Sequence, residues 1–335
     1  MFKVDEKEKE AVVLYYEKNH WSITLKRMLR DWRLYVMLIP LILVFFFWKY
    51  LPMYGLTLSF KNYDSGLGIL GSDFIGLAGF KFLVSDPTFW RAFRNTFMLA
   101  FYGLLFGFPI PIILALLFSE VKNKGYRSFL QVATYLPKFV SIVVITSLVT
   151  LLCTKKTDVY QGGLITQLLA ALKLIPEGTD LLKSPQYFRA IYQISGIWEG
   201  AGYGSIVYFA AVLAISPTSY EAAKMDGASK WAQIINVTLP GMASTITIML
   251  ILDIGKLFTI GYEKVYLLYQ QETWETADIV ATYVMRHSGM ASDGIVDQLS
   301  KAIAASADLL NAVIAMLLVV GSNIIARRVS DTSLY

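Results

Sequence analysis

Six apolar runs, each about as long as a bilayer is thick, constrain this chain more than any other feature. A membrane helix needs about 20 mostly apolar residues. The windows are roughly 34–58, 93–118, 131–152, 192–215, 241–262 and 307–326. Only 16% of the 335 residues are charged and 56% are hydrophobic, whereas a soluble domain carries about 25% charged residues. In hydrocarbon every backbone N–H and C=O must be paired within the chain, which helices achieve. The expected fold is therefore an all-α polytopic membrane protein with six transmembrane helices. Trp198, Glu199 and three glycines interrupt the start of the fourth window. Pro40 and Pro52 fall in the first, and Pro109 and Pro111 in the second. Neighbouring helices can re-satisfy the backbone groups that prolines free.

Lysine and arginine near the span ends set orientation. Lys3, Lys7, Lys9, Lys18, Lys26, Arg27, Arg30 and Arg33 precede the first span. Lys122, Lys124 and Arg127 lie between the second and third, and Arg327 and Arg328 follow the sixth. With six spans, these segments share one side, so both termini and the loop between spans four and five are expected in the cytoplasm. The longer loops, 59–92, 153–191 and 263–306, face outward on this reading. Charged sequence precedes the first apolar run, which is too long for a signal-peptide core. Residues 1–33, with "WSITLKRMLRDWRLY", read as an amphipathic cytoplasmic segment on the membrane surface. Residues 34–328 then form the transmembrane domain and 329–335 a cytoplasmic tail.

Several chemistries find no footing. Cys153 is the only cysteine, and the two histidines, His20 and His287, lie in separate loops, so no metal site is expected. A net charge of +5 arises from basic flanks and does not point to nucleic acid. "GLGILG" at 66–71 matches a dinucleotide fingerprint, but that pattern needs a βαβ unit around it. A phosphate-binding P-loop needs Lys and Ser/Thr after the last glycine; Ser72 and Asp73 stand there instead. The outer-loop acids Asp64, Asp73, Asp158, Glu177 and Asp180 are scattered, and no catalytic residue is proposed.

Between spans four and five the chain turns polar: "PTSYEAAKMDGASKWAQIINVTLPGM", residues 217–242. Ser216 before Pro217 suits an N-cap followed by proline at the first helical position, and Thr218 and Glu221 are also spaced as a capping box. Either way a helix starts here. Ala222 and Ala223 give it a small face. Asp226-Gly227 ends it, glycine tolerating the left-handed C-terminal position. Trp231, Ile234, Ile235 and Thr238 then recur at i, i+3, i+4, i+7 as the expected packing face of a second helix. The product is helix, sharp turn, helix, and a short exposed helix suits a groove on a partner.

The same residues carry a resemblance. Glu221-Ala222-Ala223, then Gly227, then Val237-Thr238-Leu239-Pro240 are similar to the E-A-A…G…I-x-L-P signature of ABC importer membrane subunits, with Val for Ile at 237. The proline often found four residues after Leu-Pro is replaced by Ser244. "LYVMLIPLILVFFFWKYLPMYGLTLSFKNYD", "FWRAFRNTFMLAFYGLLFGFPIPIILALLFSEVKN", "ATYLPKFVS" and "YEKVYLLYQQETWETADIVATYV" resemble polysaccharide-type permeases of carbohydrate-uptake ABC importers. The resemblance implies a bacterial cell-membrane subunit that pairs with a second, homologous permease. Two ATPase subunits would carry ATP and Mg, this chain binding no cofactor of its own. An extracytoplasmic solute-binding protein would deliver an oligosaccharide. Glu221, Ala222, Ala223, Asp226, Gly227, Leu239 and Pro240 would couple to the ATPase.

A sugar path needs polar groups and aromatic faces inside the bundle, and intramembrane charge usually faces a cavity or a partner. Asp253 and Lys256 meet that need in span five, although their i, i+3 spacing also lets them neutralise each other. Trp198, Glu199 and Tyr203 meet it in span four; Lys138 and Asn95 come after them, Asn95 doubling as a cap for span two. An ion-coupled secondary sugar carrier is the alternative. It accounts for Asp253 and Lys256 and leaves residues 221–240 unexplained.

Overall fold

The computed structural model describes residues 21, 28–157, 162–290 and 299–329, most of them helical. Most of the 1–33 segment, His20, Asp158, the middle of the last outer loop and nearly all of the 329–335 tail lie outside the described residues. The chain forms two units, residues 1–57 and 58–335.

In the first unit, α1 (Trp32–Phe45) runs into a π turn at Phe46–Tyr50, and a 3-10 segment, Leu51–Phe60, carries the chain past the boundary at residue 57. No side chain of α1 is buried. In water such an apolar surface would be costly; in lipid it is matched.

The first strands of the second unit are β1 (Lys61–Asn62) and β2 (Asp73–Phe74), paired antiparallel with Lys61 opposite Phe74. This small hairpin corrects the all-α expectation. It also disposes of the 66–71 glycine pattern: Gly68–Gly71 is one helical turn between antiparallel strands, not the opening of a βαβ unit. The helices that follow are α2 (Ala78–Ser85), α3 (Pro87–Tyr102), α4 (Pro109–Glu120), α5 (Lys124–Tyr135), α6 (Ile142–Cys153), α7 (Leu164–Ala171) and α8 (Pro185–Leu213). Then come α9 (Pro217–Met225), α10 (Lys230–Gln233), α11 (Ala243–Gly255), α12 (Tyr262–Leu268), α13 (Val280–His287) and α14 (Ser300–Val329).

Among the described residues, three stretches are continuous helix long and apolar enough to span: Trp32–Phe60, Pro87–Glu120 and Ser300–Ile325. The other three windows are not the straight helices expected. The third breaks by 99° between Lys124–Phe139 and Ile142–Cys153. A 3-10 turn at Leu136–Phe139 ends one half, and Ser141 caps the other by accepting the Val144 N–H. The fourth starts earlier than expected, at Pro185, and bends by 69° into α9. The fifth bends by 63°, and its straight part, Ala243–Gly255, has 13 residues. At 1.5 Å per residue that is about 20 Å, short of a bilayer core.

The prolines leave a regular signature. Each of the π turns Phe46–Tyr50, Gly103–Gly107 and Ile234–Thr238 ends two residues before a proline: Pro52, Pro109 and Pro240. A helical proline clashes with the carbonyl four residues back. In each case that carbonyl belongs to the π turn, where the widened backbone relieves the clash.

Two of the glycines of the fourth window, Gly202 and Gly204, pack rather than interrupt. A Cβ at Gly202 would run into the Thr134 carbonyl, and one at Gly204 would crowd Pro111. Small residues let membrane helices approach closely in this way. Among the described residues the core gathers in three clusters, around Leu99, Phe188 and Val265, around Phe89, Tyr283 and Ile303, and around Ala115, Tyr208 and Met242.

Candidate functional site

The 217–240 loop is built by local caps. Ser216 is the N-cap, its hydroxyl accepting the Thr218 N–H at 3.3 Å. Of the two starting geometries the sequence allowed, the Ser216 cap is the one formed. At the other end Gly227 takes φ +74°. The Ala228 N–H donates to the Ala223 carbonyl (2.9 Å) and the Gly227 N–H to the Lys224 carbonyl (3.0 Å). These are the two bonds of a Schellman ending, which needs a left-handed residue between them. Ser229 caps the next helix through the Ala232 N–H.

No residue of α9 is buried. Glu221, Ala222, Asp226 and Gly227 are exposed, Ala223 is half-buried, and Met225 is 89% exposed. Two contacts hold the helix in place. The Tyr220 hydroxyl meets Thr238 Oγ1 at 3.1 Å, and the Gln233 amide donates to the Ala228 carbonyl at 2.9 Å. Lys230 reaches Glu120, at the end of α4, at 2.7 Å. Leu239 packs against the cluster of Tyr208, Val212 and Met242. Pro240 is exposed beside it. The expected face of Trp231, Ile234, Ile235 and Thr238 is only partly right. Thr238 is buried and Ile234 half-buried, but Trp231 and Ile235 are exposed, and Gln233 is buried instead. The π turn at Ile234–Thr238 adds a residue to that turn and shifts the phase of the stripe.

The expected pathway residues fall into separate places. Asp253 and Lys256 pair with each other at 3.7 Å. Both line a cavity of about 320 Å³ together with Gly103, Gly107, Tyr208 and Met249. Lys256 is the C-cap of α11, where the helix stops. Trp198 instead lines an apolar cavity with Leu148, Cys153 and Ile191. Glu199 and Tyr203, one turn apart, share another face of α8. Glu199 bridges two lysines: Oε1 lies 3.0 Å from Lys138 Nζ, and Oε2 3.7 Å from Lys264 Nζ. Tyr203 meets Phe139 edge-on, ring centroids 6.0 Å apart. Lys264, which the sequence reading missed, is buried over the Tyr192 ring at 5.1 Å.

Asn95 does not cap span two; Asp86 does, accepting the Thr88 N–H at 2.8 Å. Asn95 is fully buried and donates to the Glu275 and Asp278 carbonyls, while Arg189 donates to its Oδ1. It belongs to a polar network also missed from sequence. Arg286 forms a two-pronged pair with buried Asp278, both distances 2.8 Å, and stacks over Trp274. Arg91 reaches Asp278 at 3.4 Å, and Tyr283 donates to Asp86 at 2.8 Å. Burial tends to raise the Asp86 carboxyl, but the hydrogen bonds from Thr88 and Tyr283 outweigh it and hold it below the ordinary value. Burial lowers His287, which stacks on Tyr283 at 4.1 Å. The available signal was the i, i+4, i+8 stripe Asp278, Thr282, Arg286.

Residues 107–330 match the family described as binding-protein-dependent transport system inner membrane component. The polygalacturonan/rhamnogalacturonan transport system permease protein YteP of Bacillus subtilis (strain 168) is 39% identical over 82% of this chain and 83% of its own length. Protein LplB of the same organism is 36% identical over 98% of both chains. A crystal structure of a bacterial ABC transporter involved in the import of the acidic polysaccharide alginate includes a chain that superposes with a TM-score of 0.80. It is 38% identical and covers 92% of this chain and 99% of that one. A second crystal structure holds the bacterial alginate ABC transporter in complex with its alginate pentasaccharide-bound periplasmic protein, again at a TM-score of 0.80. With two thirds of its length matched by the family and two relatives above 30% identity, this chain belongs to the binding-protein-dependent transport system inner membrane components, and its relatives place it among those that serve sugar ABC importers.

Proposed function

We propose that this chain forms, with a second homologous permease, the path by which an oligosaccharide crosses the bacterial cell membrane. A solute-binding protein delivers the sugar on one side, and two ATPase subunits carrying ATP and Mg drive the cycle from the other. The chain crosses the membrane several times with both termini in the cytoplasm, as the lysine and arginine bias suggests.

The observation that carries this reading is an exposed helix, Pro217–Met225, ended by a Schellman turn at Gly227 and tied back to the spans through Thr238 and Leu239. A protruding helix on a fixed base is suited to seat in a partner's groove and transmit force. ATP shifts the permease only if the ATPase binds one of its conformations better than the other. Glu221 offers its exposed carboxylate for charge-assisted bonds to basic groups of that partner. Asp253 and Lys256 line the transport path, and Glu199 and Tyr203 a second part of it. The ion-coupled alternative gives the 217–240 loop no task, and the family match does not favour it.

The test is uptake of labelled oligosaccharide into proteoliposomes holding the complete transporter. Uptake that needs ATP and disappears with Glu221→Lys supports the reading. Uptake that follows an imposed ion gradient without ATP contradicts it.

A further inference from the structure

Glu199 sits in the middle of α8 with each carboxylate oxygen given to a different lysine. Its side chain is 17% exposed and that of Lys264 10%, while Lys138 is 45% exposed. The ion-paired group holds two ammonium groups and one carboxylate, so one positive charge is left over. Ionisable groups inside a membrane protein are costly and are kept where they serve a path or a partner. A single buried lysine would be neutralised by a single acid; the second lysine, only half-buried, is surplus to that need.

The surroundings are those of a sugar site. Lys138 is followed in sequence by Phe139, 74% exposed, and Glu199 is followed one turn later by Tyr203, 48% exposed. These two aromatic rings touch edge-on beside the ion pair. Thus the 3-10 turn at Leu136–Phe139 and helix α8 each contribute one charge and one ring to the same place. Aromatic rings pack against the C–H faces of sugars, and ammonium groups make strong charge-assisted bonds to carboxylates. Lys264 is fixed from behind by Tyr192, and Gly196 leaves room for its ammonium: a Cβ there would lie 3.2 Å from Nζ.

Building on the reading of this chain as an oligosaccharide permease, we propose that Lys138 and Lys264 form a carboxylate clasp for a uronic-acid unit of the transported sugar, with Glu199 as the internal stand-in. An arriving uronate replaces Glu199 on the exposed Lys138, Lys264 keeps the displaced Glu199 carboxylate paired behind it, and Phe139 and Tyr203 hold the sugar ring. When the sugar leaves, Glu199 closes the clasp again, so neither lysine is left unpaired. The exchange swaps one carboxylate for another, which keeps the affinity modest and lets the sugar move on.

The test is equilibrium binding of an end-labelled galacturonate trimer, and of its methyl ester, to the purified permease–ATPase complex without the binding protein. The ester keeps the sugar rings and removes the charge. Wild type is expected to bind the acid form more tightly than the ester. Lys138→Met should weaken the acid form about tenfold, roughly 1.4 kcal/mol, and leave the ester unchanged. Glu199→Gln removes the stand-in and should tighten the acid form several-fold. Equal binding of acid and ester by wild type, or loss of both forms together in Lys138→Met, overturns the clasp. Weakened acid binding in Glu199→Gln overturns it as well, because a structural carboxylate would behave so. ATP-driven uptake by the same complex with its binding protein is read separately. Binding that follows the expected pattern without any ATP-driven uptake faults the transport reading and leaves the clasp standing.

Discussion

The N–H of Ala228 donates to the carbonyl of Ala223 across Gly227, at 2.9 Å. That bond closes the exposed helix Pro217–Met225 and turns the chain toward the Lys230 helix. It exists because Gly227 holds φ at +74°.

Gly227 therefore gives a graded prediction. A Cβ there would meet nothing within 4 Å, so a substitution costs backbone strain and no clash. Left-handed backbone costs an ordinary residue roughly 1–2 kcal/mol and is easier for Asn. Gly227→Asn should retain most ATP-driven uptake, Gly227→Ala less, and Gly227→Val almost none, with all variants inserted in the membrane. Equal uptake by the Asn and Val variants would separate the turn from transport.

The Asp278–Arg286 pair is a stability prediction. Asp278 is fully buried and Arg286 is 8% exposed in its side chain. Removing one partner of a buried pair leaves the other charge uncompensated, at about 3–5 kcal/mol. Asp278→Asn should lower the melting temperature of the detergent-purified protein sharply. Replacing both residues, Asp278→Leu with Arg286→Met, should recover part of the loss. A double variant worse than the single would contradict this account.

The Glu120–Lys230 pair should behave oppositely, although it is just as short. Both side chains are substantially exposed, 44% and 65%, and exposed pairs contribute about 0–1 kcal/mol. Lys230→Met should leave the melting temperature nearly unchanged. A shift as large as that of Asp278→Asn would contradict the weak contribution assigned to this exposed pair.

His287 sets a pH dependence. Burial depresses its folded-state pKa below the ordinary value of about 6.5, while Asp86 and Asp278 oppose that shift and Arg286 assists it. The unfolded chain thus binds the proton better than the folded one. The stability tied to neutral His287 is complete above pH 6.5 and is lost as pH falls from there toward the folded pKa. Melting temperatures measured from pH 8 to pH 5 should decline in wild type and decline less in His287→Gln. Asp86, held below its ordinary value, adds a further loss at lower pH as its carboxylate protonates.

What could be read from sequence followed the range of the interactions. The 217–227 helix and its glycine stop are made by contacts between near neighbours, so Ser216, Pro217 and Gly227 announce them. The apolar windows announce lipid-facing helices, but not where a helix breaks, because Ser141 and Met242 look unexceptional until they stand at N-caps. Glu199 was legible as an intramembrane charge, whereas its partner Lys264 comes from a distant helix. The Asn95, Asp278 and Arg189 network joins three remote segments in the same way. Hydrophobic periodicity also failed at Trp231 and Ile235, where a π turn moved the stripe.

The central claim is that the 217–240 loop is where ATP acts on this chain. The most direct measurement is cross-linking from a cysteine at Met225, which is 89% exposed, in a protein whose one natural cysteine, Cys153, is buried. In the complete transporter, Met225→Cys should cross-link to an ATPase subunit bearing a cysteine in its docking groove, with a yield that changes when ATP is added. No cross-link to the ATPase from Met225→Cys, with one formed instead from Glu177→Cys, would contradict both the coupling role and the orientation.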